Sequence, residues 1–163
     1  MAIFGELGIR GGKNRTKEEF LYNMASCYVI VEKKVSEALA AYELTPVKMN
    51  ALLVIKHVGK GKGLSQNDLC KKMIVTAGNI TRLIDRLEKD KFVERAPLAG
   101  DRRVNLIRIT KRGSDLLDKV WPVYQKKVDE IVCLTDADLT GVISGLENVR
   151  QTISQKNGGK AKP

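Results

Sequence analysis

Residues 80–87 read Ile-Thr-Arg-Leu-Ile-Asp-Arg-Leu, and the prediction of the fold begins with them. Their apolar members stand at positions i, i+3, i+4 and i+7, which is the spacing of one face of an α-helix. The opposite face carries mostly polar and charged residues: Gly78, Arg82, Asp85, Arg86 and Lys89. This pattern predicts an amphipathic helix with a basic outer face, capped by Thr76.

A shorter helix is predicted before this one. Ser65 suits the N-cap position, and Asp68 stands three residues later, where a capping box places its acidic residue. Leu69 and Met73 are predicted to face the core. Two helices joined by a tight turn, the second with an outward basic face, form a helix-turn-helix.

A β-hairpin is predicted to follow. Residues 92–96 and 104–109 are rich in β-forming residues, and the loop 97–101 between them contains Pro, Gly and Asp. Arg102 and Arg103 stand at the exposed end of this hairpin. A helix-turn-helix followed by such a hairpin is a winged helix, with the hairpin as the wing.

Further helices flank the winged helix. A helical pattern of roughly 25 residues begins at Thr16, and Thr45 before Pro46 predicts the start of a helix that ends at Gly59. Thr110 and Thr135 are predicted to cap the last two helices. The fold class is therefore mostly α with a small β-hairpin wing.

The predicted organisation has four parts: a flexible N-terminal arm over 1–16, a helical dimerisation region over 17–45 and 114–155, a winged helix-turn-helix over 46–113, and a disordered basic tail over 156–163. The end helices carry more apolar surface than a winged helix of about 60 residues can cover. They are therefore predicted to pack across a twofold axis in a homodimer, the symmetry with which helix-turn-helix proteins bind palindromic DNA.

The composition argues against several classes of protein. The sequence of 163 residues has no run approaching the ~18 apolar residues of a membrane span, and no signal peptide pattern, so we expect a cytoplasmic protein. Three distant cysteines and a single histidine argue against a disulfide scaffold and a metal site. Since phosphate-binding, dinucleotide-binding and hydrolase motifs are also absent, we expect neither an enzyme nor a cofactor.

The net charge of +10 is concentrated in the middle of the chain. Residues 60–112 hold 14 basic and 6 acidic side chains, a net of +8, whereas 1–59 have a net of +2 and 113–163 a net of zero. A basic patch between nearly neutral flanks is typical of a protein that binds a polyanion. Because a winged helix carries this patch, double-stranded DNA with a pseudo-palindromic operator is the predicted partner.

Residues 64–113 resemble the multiple-antibiotic-resistance regulator (MarR) family. The resemblance rests on five blocks with fitting spacing: residues 64–69, 80–89, 92–95, Asp101-Arg102-Arg103, and 109–113. It implies a dimeric transcriptional regulator, usually a repressor that a small aromatic or anionic ligand or oxidation releases from DNA. The start of the recognition helix, residues 76–79, departs from the family in having fewer hydroxyl residues, so fewer side chains reach the bases there.

The predicted DNA contacts fall into three groups. Residues at helix N-termini suit phosphate oxygens, and residues on the outer face of the second helix suit base edges. The resemblance implies that Arg103 enters the minor groove and that Asp101 positions the wing; a solvated turn residue is the other interpretation of Asp101. Gly78 either lets the backbone approach DNA or is a tolerated glycine. The full set is Ser65, Gln66, Thr76, Ala77, Gly78, Asn79, Thr81, Arg82, Arg86, Arg102 and Arg103.

The resemblance also implies an effector pocket between the dimerisation helices and the winged helix. Met24, Tyr28, His57 and Trp121 are its candidate lining residues, and ordinary core packing is the alternative for each. Cys27 beside Tyr28 resembles the peroxide-sensing branch of the family, although a buried and inert cysteine is the favoured interpretation. Two further functions stay open: a redox-sensing regulator of this family, and a winged-helix module that contacts protein or RNA.

Overall fold

A computed structural model describes Gly5 and residues 13–73, 77–98 and 101–158. The chain divides into two compact units, Met1–Val128 and Asp129–Pro163. The first unit holds α1 (Arg15–Leu39), a 3-10 helix (Ala40–Tyr42), α2 (Pro46–Gly59), β1 (Leu64–Ser65), α3 (Gln66–Lys72), α4 (Ala77–Lys89), β2 (Val93–Leu98), β3 (Asp101–Ile109) and most of α5 (Lys111–Ile131). The second unit holds the end of α5 and all of α6 (Asp136–Gly158).

The helix ends follow the predicted capping residues. Thr45 Oγ1 accepts a hydrogen bond from Lys48 N–H at 3.2 Å, and Pro46 is the first residue of α2. Thr110 Oγ1 accepts one from Gly113 N–H at 3.1 Å, and Thr135 Oγ1 one from Asp138 N–H at 3.2 Å. These hydrogen bonds satisfy amide groups that lack a partner inside the helix, which confirms the three predicted starts.

The sheet has three antiparallel strands in the order β1-β3-β2, so the predicted hairpin gains a short third strand. Leu64 pairs with Ile107 and Ser65 with Leu106. The predicted turn over 97–101 is wrong at both ends, because Pro97 pairs with Asn105 and Leu98 pairs with Asp101. Proline has no N–H to donate. It is tolerated here because β2 is an edge strand, so the missing N–H leaves no carbonyl group of a further strand without its donor.

The core of the first unit lies between the helices and one face of the sheet. All four apolar residues that define the α4 stripe, at positions 80, 83, 84 and 87, are buried, as are Leu69 and Met73, which confirms those predictions. The helix α2 carries apolar residues on several faces. Met49, Ala51, Leu52 and Ile55 are buried, whereas Val47 and Val58 are exposed. Because α2 is apolar on most of its surface, its sequence pattern does not define one phase.

The helix α1 buries few of its apolar residues. Val35 and Leu39 are buried, but the earlier turns expose large apolar side chains: Phe20, Leu21, Tyr22, Met24, Tyr28, Val29, Ile30 and Val31. Among the described residues no single helix is long and apolar enough to cross a membrane, and the bent pair Arg15–Tyr42 and Pro46–Gly59 meets that test together only by length and composition.

Two observed helix ends differ from the predicted segment boundaries. The helix α1 begins at Arg15, inside the predicted N-terminal arm, and α6 continues to Gly158, inside the predicted tail. Polar residues continue a helix without tertiary packing for a turn or so, which composition alone does not reveal. Taken by itself, α6 exposes Val142, Ile143, Leu146 and Ile153. The remaining domain boundaries stay predictions.

Candidate nucleic-acid interface

The side chain of Ser65 caps the N-terminus of α3. Ser65 Oγ accepts a hydrogen bond from Asp68 N–H at 3.1 Å and donates one to Asp68 Oδ2 at 2.7 Å. The Ser65 hydroxyl is the largest cause that lowers the pKa of Asp68 below its usual value, and the neighbouring Lys71 and Lys72 act in the same direction. The carboxylate is therefore ionised at neutral pH, where it complements the positive end of the helix.

The two helices of the helix-turn-helix are joined by predicted contact residues. Gln66 Nε2 donates a hydrogen bond of 2.7 Å to Thr81 Oγ1. Gln66 is partly buried at the start of α3, whereas Thr81 is exposed on the first turns of α4. This hydrogen bond links the start of α3 to the first turns of α4.

The outer face of α4 is polar and cationic. Asn79, Thr81, Arg82 and Arg86 are all exposed, in contrast to the buried apolar face of the same helix. Within the described side chains, no ion pair involves Arg82 or Arg86. These two guanidinium groups are thus available to an external acceptor.

Arg95 on β2 was not predicted as a site residue, yet it joins the wing to α4. Its Nη2 lies 2.5 Å from Asp85 Oδ1, and its Nη1 pairs with Glu88 Oε2. The hydrogen bond to Asp85, followed by the charges of both carboxylates, raises the pKa of Arg95. A signal did exist in the sequence, since two acids at i and i+3 on one helix are followed by a strand arginine, but the pairing depends on how the hairpin folds back.

The remaining predicted DNA contacts are only partly described. Asp101, Arg102 and Arg103 are the first residues of β3, and Ala77 and Gly78 begin α4. The contacts predicted for these five residues and for Thr76 lie outside the described part of the chain.

The base of the wing is a tightly bonded junction of Lys91, Phe92, Thr110 and Gly113. Lys91 has a left-handed backbone with φ of 62°, and Phe92 N–H donates to the carbonyl oxygen of Leu87 at 2.9 Å, which ends α4 in a Schellman motif. Thr110 N–H and Oγ1 both donate to the Phe92 carbonyl, at 3.0 and 3.2 Å. Gly113 packs so closely on that carbonyl that a Cβ would overlap it. The wing base therefore connects α4, both hairpin strands and α5.

A cleft of about 350 Å³ lies between α2 and α5. We call it the α2–α5 cleft; its lining residues are Leu53, Lys56, His57, Leu117, Asp118, Trp121 and Pro122. Lys56 Nζ on α2 lies 2.7 Å from Asp118 Oδ1 on α5, so this ion pair links the two helices across the cleft. The structure thus brings together His57 and Trp121, two of the four predicted pocket residues.

The predicted α1 residues lie elsewhere on the surface. Met24 and Tyr28 do not line the cleft, and with exposed fractions of 40% and 69% they are not core residues of the single chain either. Cys27 is exposed, so the favoured interpretation of a buried cysteine is wrong for the single chain. The sequence did not reveal this, because a helix that is apolar on several faces does not show which of them the rest of the chain covers. No cluster of three or more metal-ligating side chains occurs among the described residues.

The three-stranded wing sheet and the paired helices α3 and α4 define a winged helix, a class of DNA-binding fold. A sequence model of the MarR family matches residues 42–104, which include α2, α3, α4 and the start of the hairpin. Residues 42–104 therefore match the MarR family, and the curated relatives of the chain are named as transcriptional regulators.

Individual relatives agree with this assignment. The transcriptional regulator MhqR of Bacillus subtilis is 26% identical over 109 residues, which cover 67% of this chain and 73% of MhqR. The transcriptional activatory protein BadR of Rhodopseudomonas palustris is 29% identical over 111 residues, 68% of this chain and 61% of BadR. The known relatives are regulators and not enzymes, as the sequence predicted.

Solved structures share the fold. The regulator AbsC from Streptomyces coelicolor has a TM-score of 0.79 at 18% identity, over 90% of this chain and 98% of AbsC. A mutant MarR from E. coli, complexed with operator DNA, has a TM-score of 0.77 at 20% identity, over 85% of this chain and 99% of that one. At these identities the comparison establishes the fold alone.

Proposed function

We propose that this protein binds double-stranded DNA in a sequence-specific manner as a homodimer, and represses transcription until a small ligand releases it. The exposed Arg82 and Arg86 on α4, which form no ion pair within the described side chains, carry the DNA-binding part of this proposal. Free guanidinium groups on the outer face of a recognition helix suit the O6 and N7 acceptors of guanine. The similar fold of a MarR mutant complexed with operator DNA supports DNA binding by a protein of this fold.

The residues of the interface are proposed to make three kinds of contact: with phosphates, with base edges and with the minor groove. Ser65 and Gln66, at the start of α3, lie beside exposed amide groups that favour a phosphate oxygen, and these contacts fix the position of the helices on DNA. Asn79, Thr81 and Arg82 lie on the first turns of α4, where side chains reach base edges. Arg103, near the start of β3, enters the neighbouring minor groove, whose narrow A/T-rich form attracts an arginine.

Selection from a random DNA pool, followed by affinity measurements over a salt series, tests this function. We expect a palindromic sequence with half-sites about 10 base pairs apart, and an affinity that falls about a thousandfold between 50 and 200 mM salt. Arg82→Ala is expected to change the selected sequence as well as the affinity. Lys119→Ala, at an exposed position of α5, is the matched control and is expected to change neither. A uniform loss over all sequences would make Arg82 a phosphate contact, and no selected sequence would refute specific binding.

The homodimer is proposed on the apolar surface of α1. Its exposed residues include Leu21, Tyr28 and Val29, with exposed fractions of 54%, 69% and 61%, which is more apolar surface than a monomer normally leaves in water. A second copy of the chain would bury this surface and give the twofold symmetry of a palindrome. Sedimentation equilibrium is expected to give twice the chain mass of 18.1 kDa, and a species of single mass would refute the dimer.

The α2–α5 cleft is the proposed ligand site. Trp121 and Leu117 supply apolar walls, and Lys56 supplies a cation for an anionic group that displaces Asp118. Because Trp121 is the single tryptophan of the chain, its fluorescence reports on the cleft directly. Benzoate is expected to change that fluorescence and to weaken DNA binding, while benzyl alcohol, which lacks the charge, is the matched control. Lys56→Met should abolish the response; a response that persists would place the ligand elsewhere.

Repression is proposed as the sign of regulation, and in vitro transcription tests it. Adding the protein to a template that carries the selected operator should lower transcript yield, and the cleft ligand should restore it. An increase in transcript would instead make this chain an activator, as BadR is named to be.

A further inference from the structure

The recognition helix α4 carries two carboxylates close to its own arginines. Asp85 stands three residues after Arg82 and four before Lys89, and side chains at these separations are neighbours on a helix surface. Left alone, Asp85 would pair with Arg82 or Lys89, and both Asp85 and Glu88 would repel DNA phosphates. The structure shows a different arrangement, in which both carboxylates bind Arg95 from the adjacent wing strand.

The sheet geometry explains why Arg95 reaches them. Arg95 pairs with Ile107 across the β2–β3 ladder, so the two side chains lie on the same face of the sheet. Ile107 is buried, which identifies this as the face that packs on the helices. The Arg95 side chain therefore lies between the sheet and α4, with an exposed fraction of 27%. From this position one guanidinium group bridges both acids.

We propose that Arg95 is a positioning residue for DNA recognition: it holds Asp85 and Glu88 away from the arginines of α4 and fixes the wing against that helix. The proposal rests on the proposed DNA binding of this chain. Its consequence is that Arg82 and Arg86 stay unpaired, as they are among the described side chains, and that the acidic charge on the helix is partly neutralised before DNA arrives.

The expected effect follows from Coulomb's law. Two like unit charges about 10 Å apart in water weaken an association about twofold, and several phosphates lie near a recognition helix. Without Arg95, the released Asp85 would also pair with Arg82 and remove it from the DNA surface. With both effects together, we expect Arg95→Met to weaken operator binding about tenfold at low salt. The loss should shrink towards physiological salt, because the screening length there is about 8 Å.

The test is a mutant cycle read by fluorescence anisotropy with the DNA duplex that the wild-type protein selects. Arg95→Met alone is expected to bind weakly, and adding Asp85→Asn and Glu88→Gln is expected to restore the affinity to within about twofold of wild type, because the repelling charges are gone. Lys48→Met is the matched control. It removes the same charge and also breaks an ion pair, with Asp90 at 2.8 Å, but leaves the α4 carboxylates in place and should bind normally.

The outcomes separate the possibilities. If the triple variant stays as weak as Arg95→Met, Arg95 only supports the fold and the proposal is wrong; equal binding by Arg95→Met and wild type also overturns it. If Arg95→Met does not fold, Asp85→Asn in the wild-type background decides. If Asp85→Asn changes operator affinity by less than about twofold, Arg95 already neutralises Asp85, as proposed. If Asp85→Asn raises operator affinity strongly, the proposal is refuted. Wild-type protein that selects no DNA would refute the proposed function itself, a result distinct from all of these.

Discussion

Replacing Gly113 by alanine tests how firmly α5 is anchored to the wing base. A Cβ at this position would overlap the Phe92 carbonyl oxygen and lie 3.0 Å from Ile109 Cγ1, so the backbone of Phe92 must move. That carbonyl accepts hydrogen bonds from Thr110 N–H and Oγ1 at 3.0 and 3.2 Å. Weakening the two bonds costs about 1 kcal/mol each, and displacing packed backbone costs about 1–3 kcal/mol more. The better helix propensity of alanine returns about 1 kcal/mol, which leaves a net loss of about 2–4 kcal/mol.

Urea unfolding followed by Trp121 fluorescence measures this loss, and the thermal midpoint should fall by about 4–16 °C for a chain of this size. Gly141→Ala is the matched control. A Cβ at Gly141 meets nothing within 4 Å, and the residue is exposed on the polar side of α6, so alanine should stabilise the helix by about 0.5–1 kcal/mol. If Gly113→Ala leaves the free energy of unfolding unchanged, the proposed close packing of α5 on Phe92 is wrong.

Two further substitutions test local features of the fold. Lys91 ends α4 with φ of 62°, so Lys91→Gly should raise the free energy of unfolding by about 0.5 kcal/mol in urea titrations; a loss would show that the lysine side chain contributes more than its backbone strain removes. The pKa of Asp68 is lowered in the folded state, so its carboxylate stabilises the fold above the ordinary value of 3.8, and this contribution disappears as the pH falls through the lowered pKa. Asp68→Asn should therefore be less stable than wild type at pH 7 and equally stable in acid, and a difference that persists in acid would contradict this assignment.

Local sequence patterns predicted the elements whose structure depends on local interactions. The α4 stripe has one apolar face and one charged face, so only one orientation buries it, and the structure has that orientation. The caps at Thr45, Ser65, Thr110 and Thr135 use a side-chain oxygen and an amide three residues later, both visible in the sequence.

Features that depend on distant residues were not predictable in this way. The strand β1 has two residues, too few for a pattern, and exists because β3 offers it hydrogen-bonding partners about 40 residues further on. The sequence does not show which face of α2 is buried, because apolar residues lie on most of its faces and burial is decided by what packs against them. Arg95 was not predicted because its two partners lie on the preceding helix and contact it only once the hairpin has folded back.

The wing base connects the proposed ligand cleft with the proposed DNA-binding surface. A ligand can release DNA only if it binds the DNA-competent and DNA-free conformations with different affinity. In the α2–α5 cleft it would act on Asp118 and Trp121, both on α5. The first turn of α5 is bonded through Thr110 to Phe92, and Phe92 N–H in turn holds the carbonyl of Leu87 at the end of α4. A shift of α5 that disturbed this junction would also move the end of α4 and the strand that carries Arg95. Coupling between the two proposed sites is therefore expected to depend on the Thr110 hydroxyl, which accepts from Gly113 N–H and donates to the carbonyl oxygens of Lys91 and Phe92. Thr110→Val removes these bonds but keeps the backbone hydrogen bond from residue 110 to Phe92. We therefore expect DNA affinity to be retained and the effect of benzoate on that affinity, measured by fluorescence anisotropy, to be reduced; an undiminished effect would exclude this route of coupling.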